Sequence, residues 1–432
     1  MKRTSVGTAA ALVGLVAVMV LPAQGATPKT KLVSVRSNGT QGDGGSFDSS
    51  ISANGRFVTF ESDATNLVGG DDNGKRDIFV HDKKTKKTRR VSVRSNGAEA
   101  EDSSHDPAIS ANGRFVVFYS NATNLVGNDD NGNDDVFVHD RRTKKTKRVS
   151  VRSNGAEADG HSIGLSISAE GRFVAFGSGA TNLVRGDDND RYDIFVHDRR
   201  TGKTKRVSVR SNGAEADSDN YNPSISGDGR LVAFFSEATN LVGSDDNADP
   251  DIFVHDRRTG KTKRVSVRSN GTEGDGTSSK PSISASGRFV AFESGATNLV
   301  GGDTNTVGDV FVHDRRTGKT KRVSVRSNGD EGDEYSEAPS LSANGRFVAF
   351  KSEASNFVAG DISDGDIFVH DRKTKKTKRV SLRSNGTEGG PGDSFSPSIS
   401  ADARFVAFHS NVENFVPGDN GFNDVFVRGP LR

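Results

Sequence analysis

The chain contains no cysteine and no tryptophan, only two methionines, and hydrophobic residues fill just 32% of its 432 positions. Without cysteine there is neither a disulfide framework nor a lipid-modified Cys anchor. Beyond the first 25 residues no apolar run is long enough to span a bilayer. An excess of one charge is also lacking: taking Lys2 and Arg3 from the 59 basic residues leaves 57, against 57 acidic. Any electrostatic function must therefore come from how charge is distributed. Glycine is abundant instead, at 49 residues, which suits many short strands joined by tight turns.

Lys2 and Arg3, the apolar run from Ala9 to Leu21 and the small residues of Ala23-Gln24-Gly25 read as a secretory leader over 1–25. This predicts an exported protein, periplasmic or extracellular, whose folded part occupies 26–432.

The motif G-R-F-V-A-F sets a period. Its first aromatic position falls at Phe57, Phe115, Phe173, Leu231 (a substitution), Phe289, Phe347 and Phe405, every 58 residues. The histidine of F-V-H-D recurs at His81, His139, His197, His255, His313 and His370, so the sixth copy is one loop residue shorter. Each copy reads as four strands, exemplified by "PSIS", "RLVAF", "DIFVHD" and "KRVSV", with short glycine turns and a T-G-K-T hairpin between them. The second and third strands are apolar at nearly every position, so both sheet faces must be covered. Four-stranded antiparallel units at this spacing predict an all-β, seven-bladed β-propeller. The blades fall at about 48–93, 106–151, 164–209, 222–267, 280–325, 338–382 and 396–428. "KLVSV" (31–35) lacks the strands before it and "DVFVR" (424–428) the strand after it. Pairing the two completes the last blade and closes the ring; an open solenoid would instead need capping repeats.

The units "SISGDGRLVAF" (224–234) and "SISASGRFVAF" (282–292), followed by D-I/V-F-V-H-D-R-R-T-G, resemble the TolB-like, WD40-like β-propeller repeat of exported bacterial proteins. The resemblance covers 31–432 and implies the propeller fold. TolB itself has six blades and an extra α/β domain, so a Tol–Pal role is not implied. The hydrolase domain of propeller peptidases is missing too.

Strand order puts the third hairpins on one side of the ring and the loops between second and third strands on the other. The hairpins hold runs of basic residues with no acid among them. Arg141, Arg142, Lys144, Lys145, Arg199, Arg200, Lys203, Arg257, Arg258, Lys261, Arg315, Arg316 and Lys319 are candidates for binding a polyanion. An anionic cell-envelope polymer or an envelope protein is the partner this suggests. The structural alternative is protection of exposed strand edges by charge. Without interleaved aromatics, base stacking on nucleic acid is not expected, and the chain is expected to be a monomer.

On the opposite face D-x-N-x-x-x-D recurs in five blades: Asp71/Asn73/Asp77, Asp129/Asn131/Asp135, Asp187/Asn189/Asp193, Asp245/Asn247/Asp251 and Asp303/Asn305/Asp309. Oxygen ligands at alternate positions suit Ca²⁺, and Asx-turn chemistry explains the same pattern without an ion. Blades six and seven depart from the spacing. No cofactor is required by this reading; calcium is the one suggested.

The six F-V-H-D histidines lie a blade apart and are expected to bond within their own blades. Asn66, Asn124, Asn182, Asn240, Asn298, Asn356 and Asn414 suit a structural bond or a left-handed turn. Ser50, Ala108, Ser166, Ser224, Ser282, Ser340 and Ser398 are expected along the channel, in a wet lining. An active site needs several different groups in one pocket, and the blades look interchangeable. Only His105 and His161 stand out near the channel mouth. Seven-bladed pectin-degrading lyases bind metal through channel histidines, and two give that likeness little support. The expectation is a binding or scaffold module and not an enzyme, with a calcium-dependent protein-binding propeller or a polysaccharide lyase as alternatives.

Overall fold

A computed structural model describes residues 27–359 and 365–431. The leader expected over 1–25 lies outside them. The described chain forms seven four-stranded antiparallel sheets, and no helix in it is long and apolar enough to cross a membrane. The first blade runs Ser46–Ile51, Phe57–Ser62, Asp77–Asp82 and Lys87–Arg90, from the axis outward, and the next five repeat this order. Its strands thus span 46–90.

The last blade takes its fourth strand from the start of the chain. Lys29–Leu32 pairs antiparallel with Asp424–Gly429, Leu32 opposite Phe426. The strand begins two residues earlier than "KLVSV" suggested, and the Val33 amide still donates to the Val425 carbonyl at 2.8 Å. The closing blade then has the same order as the other six.

Third strands are buried along almost their whole length, because neighbouring blades cover both faces. Paired phenylalanines from the second and third strands stack inside each blade, as Phe60 on Phe79 with centroids 5.9 Å apart. The cores lie between blades: Val117 and Val138 of blade two pack with Val174 and Phe176 of blade three. A single blade therefore has no complete core, and ring closure is a condition of burial.

Hydrogen bonds tie the blades at fixed heights. Ser50 accepts the Ile109 amide at 3.3 Å, and Ser166, Ser224, Ser282, Ser340 and Ser398 each take the matching amide of the next blade. The channel serines are thus blade-to-blade clasps. Each F-V-H-D histidine binds within its blade as expected, His81 Nδ1 lying 2.9 Å from Thr88 Oγ1. The Thr88 hydroxyl donates to the Val35 carbonyl, so the ring must be the Nδ1–H tautomer, donating to Thr88. Asn66 donates its amide to the Gln41 carbonyl at 3.1 Å, and the same bond recurs through Asn356.

Every innermost strand carries a bulge just above its serine position. The bulged residue has positive φ in all seven blades: Asp48, Asp106, Gly164, Asn222, Lys280, Ala338 and Ser396, at 34° to 54°. Only one is glycine, so packing holds six side-chain-bearing residues in a region they rarely adopt.

Candidate functional site at the channel mouth

Three regions compete for function: the hairpin side, the acidic clusters opposite and the axial mouth between the acidic loops.

On the hairpin side, Arg56 clamps Asp82 with Nε and Nη2 at 2.8 and 2.7 Å. Arg114, Arg172, Arg230, Arg288 and Arg346 hold the equivalent aspartates. These hydrogen bonds hold the Asp82-type carboxyls far below the usual carboxylate range. The first hairpin cation turns inward instead of facing solvent. Arg141 lies 4.2 Å over the Phe57 ring of the preceding blade and donates to the Gly113 carbonyl. Burial lowers its pKa to about 10. Arg199 and Arg257 lie likewise over Phe115 and Phe173. Arg315 meets the substituted Leu231 position and keeps only the carbonyl bond, to Gly287 at 2.6 Å. Gly113 has φ +71°, and a Cβ there would lie 2.2 Å from the Phe57 ring, so this junction admits only glycine. Arg141, Arg199, Arg257 and Arg315 therefore leave the candidate polyanion surface: they staple blades. Arg142, Lys144, Lys145, Arg200, Lys203, Arg258, Lys261, Arg316 and Lys319 are exposed, as expected.

The last arginine of each hairpin strand reaches the opposite side. Arg90 Nη1 sits between Asp71 (3.2 Å), Asp77 (2.8 Å) and Glu99. Arg148, Arg206, Arg264 and Arg322 repeat the arrangement with their own two aspartates and a glutamate. Burial, then the neighbouring Asp77, raises Asp71 to about 7, and burial raises Asp77 to about 6. In each of these five clusters three carboxylate oxygens lie within 4.8 Å of one another, close enough to hold a metal ion. The donor set is Asp, Asp and Glu, with a guanidinium already among them. The asparagines expected as ligands are engaged elsewhere. Asn73 donates to the Ala100 carbonyl at 2.7 Å and accepts the Lys75 amide, an Asx turn, and Asn131, Asn189, Asn247 and Asn305 do the same. Glu99 and its equivalents, which arrive from the loop to the next blade, were not foreseen.

The axial mouth differs from both. A cavity of about 840 Å³ opens there, lined by Asp48, Glu61, His105, Asp106, Tyr119 and Lys280 among others. Its side chains come from the second to fifth positions of the first strands, with Glu61 and Tyr119 from the fifth position of two second strands and Arg76 from a loop. The fifth position reads Glu61, Tyr119, Gly177, Phe235, Glu293, Lys351 and His409. The second and third positions of the first strands vary as widely: Phe47, His105, Ile163, Tyr221, Ser279, Glu337 and Phe395 stand at the second.

Glu61 is 3% exposed. Burial pushes its pKa up, but His105, the Asp106 amide (2.9 Å) and Arg76 (2.7 Å) outweigh that and hold it below the usual range. His105 Nδ1 lies 3.7 Å from Glu61, and its ring tilts against Tyr119 at 5.3 Å. In blade five, Lys280 Nζ bonds Glu337 at 2.6 Å and lies 3.6 Å from Glu293. His409 packs between Phe47 and Phe395 with its buried Nδ1 unbonded, 4.0 Å from Asp48. His161 faces Asp134 at 3.1 Å and does not line the cavity. Sequence reasoning singled out His105 and missed Glu61, Asp48, Asp106 and Lys280. Their signal was present, as the one set of strand positions where the repeats disagree.

No family model and no curated protein matches the chain. Solved structures do, at identities that establish the fold alone. An oligogalacturonate lyase in complex with manganese matches at TM-score 0.56 and 11% identity, over 93% of each chain. The β-propeller domain of the Trilobed protease from Pyrococcus furiosus, described as having an open velcro topology, matches at 0.54 and 11%, over 89% of this chain and 95% of that one. TolB from Acinetobacter baumannii gives 0.42 and 15%, over 87% and 81%. The class is thereby defined: a seven-bladed β-propeller, closed here by its own first strand.

One expectation is corrected. The lack of a separate catalytic domain and the likeness of the blades suggested that the chain is not an enzyme. The lyase is matched over 93% of its length, so a ring of this kind serves an enzyme with hardly any further chain. The blades are also unlike one another at the mouth, where a pocket would be built. Among the described residues, groups of three His, Cys, Asp or Glu ligand atoms close enough to share an ion occur in the five Asp-Asp-Glu clusters.

Proposed function

We propose that the protein works through its axial mouth, binding a carbohydrate-like ligand there and offering proton transfer from His105. The observation that carries this is a departure from repeat symmetry within the 840 Å³ cavity: beside repeated prolines and serines, its lining includes Glu61, His105, Tyr119 and Lys280, which differ from the residues at the same positions of most other blades. One pocket acting on one ligand needs unlike groups at like positions.

The lining suits a polar, many-hydroxyl ligand. Carboxylates of Asp48 and Asp106 and the ammonium of Lys280 provide hydrogen bonds from different blades, and Tyr119 provides an aromatic edge. His105 is 30% exposed at its side chain and is backed by the buried Glu61 carboxylate, 3.7 Å from its Nδ1. This arrangement can give or take a proton at a bound ligand. The likeness to oligogalacturonate lyase supports an acidic sugar as the first substrate to try and elimination as the first reaction.

The test is direct. Oligogalacturonates of defined length are incubated with the protein, with and without Mn²⁺, and ultraviolet absorbance reports the conjugated double bond that elimination creates. Calorimetry reports binding without turnover. Binding or turnover that His105→Ala abolishes, with the melting temperature unchanged, supports the reading. Absence of both for acidic and neutral oligosaccharides alike overturns it.

A further inference from the structure

Hairpin-side cations that neither staple blades nor join the acidic clusters gather in grooves between blades. Three such grooves have cavities of about 810, 600 and 870 Å³, at the junctions of blades one and two, three and four, and five and six. Lys87, Arg89 and Arg94 line the first, Lys203, Lys205 and Arg210 the second, and Lys319, Lys321 and Arg326 the third. All nine side chains belong to exposed residues, and none forms an ion pair among the described residues. The one carboxylate lining each groove, Asp82, Asp198 or Asp314, is already held by Arg56, Arg172 or Arg288. Each groove is thus a concave surface with three cations that have no ion-pair partner among the described residues.

From this we infer that the inter-blade grooves are binding sites for a linear acidic polysaccharide, contacted at several junctions of one ring. Three features select this partner. The cations stand beside an amide side chain, Asn96 in the first groove, which can bond sugar hydroxyls as the cations bond carboxylates. No aromatic face is free for stacking a nucleic-acid base, since Phe57 is covered by Arg56 at 4.6 Å and Arg141 at 4.2 Å. The grooves also recur around the ring, so a long chain gains from each junction it meets, whereas a monosaccharide gains from one. The inference does not depend on the axial reading, because the grooves and the mouth share no residue.

The experiment measures affinity of the full-length folded protein for alginate across a salt series, with inorganic polyphosphate and neutral dextran alongside. The wild type should bind alginate, lose affinity steeply with salt, and ignore dextran. Arg94→Gln, Arg210→Gln and Arg326→Gln combined should weaken alginate binding at least tenfold, with a shallower salt slope and an unchanged melting temperature. A second triple variant, Lys87→Glu, Lys203→Glu and Lys319→Glu, should weaken it further. None of the substituted residues lines the mouth, which separates this test from that of His105. Wild-type affinity in both triple variants, or retention by polyphosphate with none by alginate, overturns the inference.

Discussion

The body of the blades and the mouth of the channel obey different rules. In the body, one residue type answers one demand at almost every junction: a serine clasp on the next blade's amide, an Nδ1–H histidine on its threonine, an arginine over the neighbouring phenylalanine. At the mouth, equivalent positions carry glutamate, tyrosine, glycine, phenylalanine, lysine and histidine. Blade seven shows that departures in the body are coordinated. Where the other blades place the cluster arginine it has Leu32, and where they place the cluster glutamate it has Gln41. Loss of the cation is matched by loss of an anion: Asp424 keeps the serine bond of the other blades, from Ser34, and takes Gln41 in place of the arginine. A change in the body is compensated locally. The unlike groups at the mouth also meet one another, Lys280 with Glu337 and His105 with Glu61, but in pairs that the other blades do not repeat.

The largest effect should come from breaking the body at its one non-continuous blade. Deleting residues 27–33 removes the strand that covers Asp424–Gly429 and leaves the buried Arg428 without its bond to Thr30 at 2.9 Å. We expect a fall in melting temperature of more than about 10 °C, or an insoluble product, since several kcal/mol of packing and edge pairing are lost. An unchanged melt would show that the ring does not depend on closure.

Next in size is the cluster arginine. Arg206→Leu leaves Asp187, Asp193 and Glu215 without the cation among them and should cost about 3–5 kcal/mol. Adding Glu215→Gln copies blade seven and should restore a good part of that loss. If the double variant is no more stable than the single one in chemical denaturation, the compensation read from Leu32 and Gln41 is wrong.

Much of the body was legible in the sequence because repetition multiplies weak signals. One F-V-H-D is a four-residue strand hint; six in register define blades, and the split copy at 31–39 and 424–432 implies closure. Charge was legible only as composition. The basic hairpin octets looked uniform, yet alternate strand residues point to different places, so Arg90 ends in the acidic cluster and Arg141 beneath a phenylalanine. Only three-dimensional neighbours separate a free cation from a stapling one. Glu99 was invisible for the same reason, since it joins its cluster across a loop of the next blade. The mouth was obscured by attention to the consensus, when the informative positions were those that depart from it.

Acidity offers a finer probe of the body. Burial pushes His139, His197, His255, His313 and His370 down to about 4, from an ordinary value of 6.5. Between those values the unfolded chain binds the proton and the folded one does not, so stability is full above about 6.5 and declines towards 4. Asp71, Asp129 and Asp187, raised to about 7 by burial, act in the opposite direction and gain stability as pH falls from 7. The opposed contributions flatten the whole-protein curve, so the histidine effect is read by difference. The stability advantage of wild type over His197→Asn should shrink by about 1–3 kcal/mol between pH 7.5 and pH 4.5. A difference independent of pH would show that this histidine does not stay neutral in the fold.

The smallest effect on stability is expected at the mouth, and its smallness is the point. Lys280 bonds Glu337 at 2.6 Å, but its side chain is 46% exposed, so solvent screens the pair and its removal should cost less than about 1 kcal/mol. His105, 3.7 Å from Glu61, makes a contact of similar modest worth. Glu61 is the contrasting control: it is buried and satisfied by Arg76 and the Asp106 amide, so Glu61→Ala should strip a partner from both and destabilise measurably. Lys280→Ala and His105→Ala should therefore melt as the wild type does while losing oligosaccharide binding. If both instead lower the melting temperature as far as Arg206→Leu does, the mouth residues are structural like the rest. The contrast between a repeating body and a specialised mouth would then have no functional meaning.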